Sequence, residues 1–274
     1  MPNLGINATW GQQQWAQFVL DHLRVESVLL RAGARFLPIG GRVAHVPRTL
    51  TDGVASWVPE GTEIPSSAPT GDELVLTPRK LANVVSLSRE SIADAPVSEL
   101  DAVGVALTRS VATSLDVKAF STDAATADAP GGLRSVATAL PAAVAPIDLD
   151  GILRSIGTVG EVGAVATAAL VSPADLTALR LEESTTGEKL LQPDIQAAGA
   201  ERIGGAALLA TPALPTGTAI IGDMAQVIVG VRSDVEVLFS SEAQFTRDSV
   251  VARVTARLDV GVNDARGLLV LKTI

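Results

Sequence analysis

"ASWVPEGTEIPSSAPTGDELVLTPRKLANVVSLSRESIADA", Ala55 to Ala95, changes character twice along its length. Up to Gly71 it is polar, stiffened by Pro59, Pro65 and Pro69, acidic at Glu60 and Glu63, and free of basic residues. It neither alternates nor repeats at helical spacing, so it reads as an excursion into solvent. From Glu73 the period becomes two, and Leu81, Asn83, Val85 and Leu87 share one face of a strand. Upstream, "GRVAHVPRTL" (Gly41 to Leu50) has strand character ending near Pro47. Two strands flanking a long polar tip make an extended hairpin. A hairpin alone is at best marginal in water, so its support must come from elsewhere.

Beyond Ser88 the period becomes helical. Leu100, Val103, Leu107, Val111 and Leu115 form one stripe, with Ser88 placed to cap a short first turn and Pro96 where the main helix begins. About 24 residues at ~1.5 Å each predict a rod of roughly 36 Å, long enough to serve as a spine. Ahead of the hairpin, residues 1–11 read as a flexible arm. "QQQWAQFVLDHLRVESVLLRAG" then reads as one helix, with Trp15, Phe18, Val19, Leu23 and Leu30 near helical spacing and Gly33 as its stop.

"ATADAPGGLRS", Ala125 to Ser135, is a turn-rich joint and a candidate boundary. A helix is expected over Asp148 to Gly160. A buried strand follows over Ala164 to Val171, then a helix capped by Ser172, with Pro173 at its first position and Asp175 in its first turn. Ala207 to Asp223 and Ala225 to Ser240 add strands. "SVVARVTARLDVGV", Ser249 to Val262, alternates strictly, and "NDARG" then "LLVLK" read as its antiparallel return.

Composition narrows the chemistry. Of 274 residues, 47% are hydrophobic but only 3% aromatic, with no tyrosine, so the core is built from Ala, Val, Leu and Ile. Each Leu or Val contributes roughly 1.5–3 kcal/mol on full burial. The absence of cysteine excludes disulfides, thiolate zinc sites and thiol nucleophiles. A formal charge of −9 argues against affinity for nucleic acid, which needs clustered Lys and Arg. The longest uncharged stretch, Ile203 to Gly222, is broken by Pro212, Pro215 and Gly217 and reads as strand and turn, not as a membrane span. No basic segment precedes an apolar run at the N-terminus, so no signal peptide is expected.

His22 and His45 stand in no metal-binding spacing. Gly157 to Gly163 lacks the order of a phosphate loop and reads as a helix end. Glu182, Glu183 and Glu188 flank a Ser-Thr-Thr-Gly loop and read as solvated. No catalytic, metal or cofactor-binding residue is assigned. The chain offers scaffolding without a reaction centre, which points to a structural protein.

The order of elements resembles the major capsid proteins of tailed bacteriophages, over nearly the whole chain. The family's Trp-Val-x-Glu-Gly turn is matched by Trp57, Val58, Glu60 and Gly61. Its Leu-Thr-Pro-x-Lys strand is matched by Leu76, Thr77, Pro78 and Lys80, and its Ser-Arg-Glu opening of the spine helix by Ser88, Arg89 and Glu90. "LVSPADLTALRLEESTTGEKLL", the strands around Pro215-Thr216-Gly217 ending in Gly222-Asp223, and the closing segment from Arg247 resemble later parts of the family.

The resemblance implies an α+β major-capsid-protein fold. Its expected parts are an N-terminal arm and helix (1–34), an extended loop hairpin (35–87), the spine helix of a peripheral domain (88–124), an axial domain (125–234) and return strands of the peripheral domain (235–274). It implies self-assembly into pentamers and hexamers of an icosahedral shell that encloses double-stranded DNA without sequence-specific binding, away from any membrane. It also implies portal, separate scaffold and decoration proteins as partners, and assembly in the host bacterial cytoplasm. The excursion becomes a loop lying across a neighbouring copy, which alone orders it. Trp57, Glu60, Glu63, Asp72 and Glu73 are its expected contact residues, and Arg253 or Arg257 the expected basic positions on the neighbour. Some members crosslink a loop lysine to an asparagine. Here the first lysine is Lys80, at the base of the loop, so Asn263 has no donor facing it and no covalent crosslink is expected. The alternatives are an encapsulin-like nanocompartment shell, distinguished by protein cargo instead of DNA, and a cytosolic enzyme with a carboxylate site, distinguished by turnover in a small oligomer.

Overall fold

The computed structural model describes residues 21–51, 53–88, 98–135, 142–144, 147–183, 201–232 and 236–272. The expected arm, Trp15, Phe18, Val19, Pro96, the short turn after Ser88, and Glu188 lie outside them.

One long strand organises the first layer. β12 (Ser249–Val262) accepts β4 (Arg79–Ser88) on one edge. Its other edge takes β11 (Glu236–Gln244) and then β10 (Val227–Arg232), both antiparallel. Val254, for example, sits between Asn83 and Val237. β1 (Arg35–Ile39) adds in parallel to β10 and completes five strands. The alternation read in β12 is observed. Ala252, Val254, Ala256 and Leu258 are buried, while Arg253, Thr255 and Arg257 face outward.

The buried row meets the spine helix α2 (Ser98–Ala119) through Leu107, Val111, Ala112, Leu115 and Ala119. Its 22 residues give a rod of about 33 Å. The side chains of Leu100 and Val103 lie outside the described set. On β4 the expected face turns inward, and its one polar member is satisfied: the Asn83 amide donates to Ser110 Oγ at 2.7 Å.

The helix expected over residues 12–33 is interrupted. Residues 21–26 are helical, Ser27 is extended, and a second turn, α1 (Val28–Arg31), follows before Gly33 at φ +108°. Ser27 breaks the run because its hydroxyl and the next two amides are held by Asp116 of the spine.

The second layer is a six-stranded sheet in the order β5 (Ala142–Val144), β13 (Leu268–Lys272), β9 (Thr218–Gly222), β6 (Ala168–Val171), β8 (Ala206–Ala210), β7 (Arg202–Ile203). β6 and β9 are buried on both faces, as their unbroken apolar sequence requires. Ala169, Val171, Ala219 and Ile221 pack with Ile152 and Val159 of α3 (Leu149–Glu161). Ala168, Leu170 and Ile220 join the cluster around the spine, which fuses the layers. α3 is capped by Asp148, and α4 (Pro173–Leu181) by Ser172, whose Oγ accepts from Asp175 N at 3.1 Å. The glycines at 157–163 form the end of α3 and its turn.

One expectation is corrected. β12 and β13 are not a hairpin: β13 pairs with β9 and β5 in the other sheet. β10 takes one edge of β12 over Leu258–Val262 and β4 the other up to Leu258, while β13 has both its own edges paired in the second sheet. Asp264 caps a tight 3-10 turn at Ala265–Gly267 that carries the chain across. Sheet membership accordingly crosses the boundary drawn at 234, with β10 in the first sheet and β13 in the second.

Candidate functional site

β2 (Ala44–Thr51) and β3 (Thr70–Leu76) pair antiparallel as a separate two-stranded ribbon. Thr77 and Pro78 separate β3 from β4, which pair in different sheets, β3 with β2 and β4 with β12. The ribbon base has a small core: Ile39, Leu76 and Ile228 are buried together, with Leu37, Val46 and Leu74 around them. Two glycines make its seat. A Cβ at Gly230 would lie 2.7 Å from Ile39 Cδ1, and one at Gly261 2.7 Å from Leu76 Cδ2. This packing covers the end of β12 and explains why burial there becomes continuous from Leu258 to Val262.

Asp259 locks the junction. Its carboxylate, 5% exposed, accepts from Thr77 N at 2.6 Å and from Val260 N at 2.9 Å. Arg79 Nη1 stands 3.6 Å away and donates to the Thr77 carbonyl. Burial pushes the Asp259 carboxyl up, and the Thr77 and Val260 amides and Arg79 oppose that push. Asp259→Ala leaves the Thr77 and Val260 amides without this acceptor and Arg79 without its nearest opposite charge, at about 2–3 kcal/mol. Amide exchange at Thr77 and along β3 should accelerate more than tenfold while the spine helix stays protected. Unchanged exchange at Thr77 would show that the carboxylate does not hold the junction.

Arg48 ties the ribbon sideways, its Nη2 2.7 Å from Asp72 Oδ2 and its Nη1 donating to the Val262 carbonyl at 3.4 Å. The Arg48 hydrogen bond, with the Glu73 amide, holds the Asp72 carboxyl below its usual range. His45 Nδ1 and Glu73 Oε2 lie 2.9 Å apart. Asp72 and Glu73, expected to face a neighbour, thus have partners on their own ribbon.

The tip differs. Residues 53–69 are exposed except half-buried Val58. Pro59 to Thr62 form a turn closed by Thr62 N to the Pro59 carbonyl at 3.3 Å, with Gly61 at φ +81°. Val54 N donates to Ser67 Oγ at 2.8 Å, bracing the two limbs. Trp57 is 103% exposed, Ile64 78% and Val54 75%. Glu60 and Glu63 form no ion pair among the described residues.

Arg253 and Arg257 lie two pleats apart on the outer face of β12. Lys80, paired with Arg257 across the β4 ladder, joins them, and Glu236 stands beside them around a cavity of about 130 Å³. The sequence reading missed Lys80 as part of this face, because only the strand register brings it there. Asn263 donates to Gln226 Oε1 at 3.2 Å. Glu182, considered as a solvated acid, accepts from Leu149 N at 3.2 Å at the start of α3.

Among the described residues no group of His, Asp and Glu could hold a metal ion, and no helix is long and apolar enough to cross a membrane. A fused two-layer body thus carries a projecting ribbon whose acidic tip exposes Trp57, Ile64 and Val54, the architecture of a structural protein. The comparisons agree. The model of the phage capsid family matches residues 11–273, and the chain belongs to that family.

A solved structure from Microbacterium phage Oxtober96 is 20% identical over 90% of this chain and 91% of its own, with a TM-score of 0.72. One from Mycobacterium phage Adephagia is 21% identical over 90% of each chain, with a TM-score of 0.71. The capsid of a native GTA particle is 17% identical over 100% of this chain and 94% of its own, with a TM-score of 0.69. No curated protein matches the chain. The protein is a structural component of a virion capsid shell and assembles with itself into capsomers, and the nanocompartment alternative is not favoured.

Proposed function

We propose that the chain closes into rings of five and six that build the icosahedral head of a tailed phage, and that it does so as structure alone, without catalysis. The ring contact is heterologous: each copy offers its ribbon tip and receives another. Within it, Glu60 and Glu63 of one copy meet Arg253 and Arg257 of the next, while Trp57 supplies the apolar part. Asp72 and Glu73 serve the same contact indirectly, by stiffening the ribbon that carries the tip. The head confines double-stranded DNA that it need not bind, consistent with a charge of −9. A portal, a separate scaffold and decoration proteins act with it in the host bacterial cytoplasm. The arm and helix (1–34), the loop (35–87) and the spine (88–124) make the lateral contacts, the axial region (125–234) closes around the ring axis, and 235–274 returns to the periphery.

The single observation that supports this reading is the tip itself, with Trp57 wholly exposed and Glu60 and Glu63 unpaired among the described residues. Replacing residues 55–69 by a short Gly-Ser turn should leave the subunit's melting midpoint nearly unchanged, since no core is touched, yet abolish closed particles in negative-stain micrographs. Glu63→Arg should weaken assembly, and Arg253→Glu in the same chain should restore part of it. Normal particles from the tip-deleted chain would overturn the proposal. Nuclease-protected double-stranded DNA in native particles, in place of an enzyme cargo, separates a phage head from a nanocompartment.

A further inference from the structure

A cavity of about 230 Å³ opens where the start of β4 meets the C-terminal end of the spine. Leu81, Leu115, Leu258 and Pro130 form its walls, and Lys80 and Lys118 stand at its rim. Arg79, also at the rim, is engaged by the Ala127 carbonyl at 3.3 Å, and Lys118 by Asp123 at 2.8 Å. Asp128 is the one acid among the lining residues. Small-molecule sites usually enclose roughly 300–1,000 Å³, so this apolar hollow suits one large side chain.

The geometry points to Trp57 of a second copy as its occupant. This rests on the reading that the tip lies across a neighbour, and it names the place where the tip seats. The chain's own tip does not occupy it, since Trp57 is wholly exposed. β3 carries the tip away from the junction at Thr77 over seven residues, or about 24 Å at ~3.4 Å each. A fully exposed tryptophan brings roughly 200 Å² of surface to an interface. Charge complements shape at one point: the segment from Thr49 to Pro78 has no basic residue and carries Glu60 and Glu63 beside Trp57, while Lys80 at the rim forms no ion pair among the described residues. Lys80 also borders the Arg253 and Arg257 face, so one tip wrapped around the edge of β4 that no described strand pairs reaches both.

The cysteine-free chain allows a direct test. Ser56 and Ser114 are exposed, one beside Trp57 and the other lining the cavity, so Ser56→Cys with Ser114→Cys should leave the fold intact. Particles of this double variant, treated with a short bis-maleimide, should give a covalent ladder rising past the dimer, absent from either single variant. In a Trp10→Phe, Trp15→Phe background, acrylamide quenching of Trp57 should fall on the order of threefold on assembly. No ladder with Trp57 still protected means that the tip seats elsewhere, and overturns this inference alone. No ladder with Trp57 as quenchable as in the free subunit overturns both the inference and the reading beneath it.

Discussion

A Gly222→Ala subunit is expected to lose about 3–5 kcal/mol of folding free energy and to be recovered mainly as insoluble protein. Gly222 ends β9 in the middle of the six-stranded sheet, flanked by Leu268 of β13 and Ala168 of β6. Its φ is +152°, which side chains rarely adopt. A Cβ there would fall on the Gly267 carbonyl oxygen and lie 2.9 Å from Leu268 Cα. Both obstacles are backbone, and that backbone is pinned: Asp223 N donates to the Gly267 carbonyl at 2.9 Å, and Thr167 N to the Gly222 carbonyl at 2.9 Å. Relief therefore means pulling strands apart at the point where the chain passes between layers. Gly163→Ala separates strain from collision. It shares a positive φ of +77° but has nothing within 4 Å of an added Cβ, so about 1 kcal/mol is expected. Denaturant midpoints of the free subunits decide between them. A Gly222→Ala protein as stable as Gly163→Ala would remove the collision from the account.

The contrast between what was readable and what was not follows the range of the interactions. The spine helix, the Ser172 cap and the alternation in β12 are written in neighbouring residues, and each is found where its pattern lies. The break at Ser27 is not local, since its cause is a carboxylate 89 residues away. The supposed hairpin of β12 and β13 failed for a related reason: two alternating runs joined by a short turn show nothing of who already occupies the strand edges. Among the expected contact residues, Asp72 and Glu73 could not be told from Glu60 and Glu63 by composition. Antiparallel register alone sets Arg48 opposite Asp72 and His45 opposite the neighbourhood of Glu73. The same blindness hid Lys80, which reaches the Arg253 and Arg257 face only through its pairing in the β4 ladder.

Asp116→Ala should cost about 3–4 kcal/mol and release the N-terminal segment from the spine. Asp116, 5% exposed, accepts from Ser27 Oγ at 2.6 Å and Val28 N at 2.7 Å, with Leu29 N at 3.4 Å. The first turn of α1 thus finds its acceptor on another helix, and the same carboxylate sets where the chain enters the body. Alanine leaves those donors buried without an acceptor, whereas Asp116→Asn keeps one acceptor oxygen and should cost less than half as much. Ser27→Ala should cost only about 1 kcal/mol, since Val28 keeps its partner. Burial pushes the Asp116 carboxyl above its ordinary 3.8, with the Ser27, Val28 and Leu29 donors and the Arg31 charge holding it back. A folded value above the unfolded one means that the native state binds more protons between the two. Stability from this group is therefore complete below about pH 3.8 and is lost as the pH rises through the raised value. The exposed pair of Lys118 and Asp123 runs the other way, because a carboxyl held low by its lysine partner loses its contribution on acidification. Comparison with Asp116→Asn cancels that background. Between about pH 7 and about pH 4.5 the stability difference should shift toward the wild type. A shift toward the variant would mean that the three donors outweigh burial and that Asp116 is held as a firm anion.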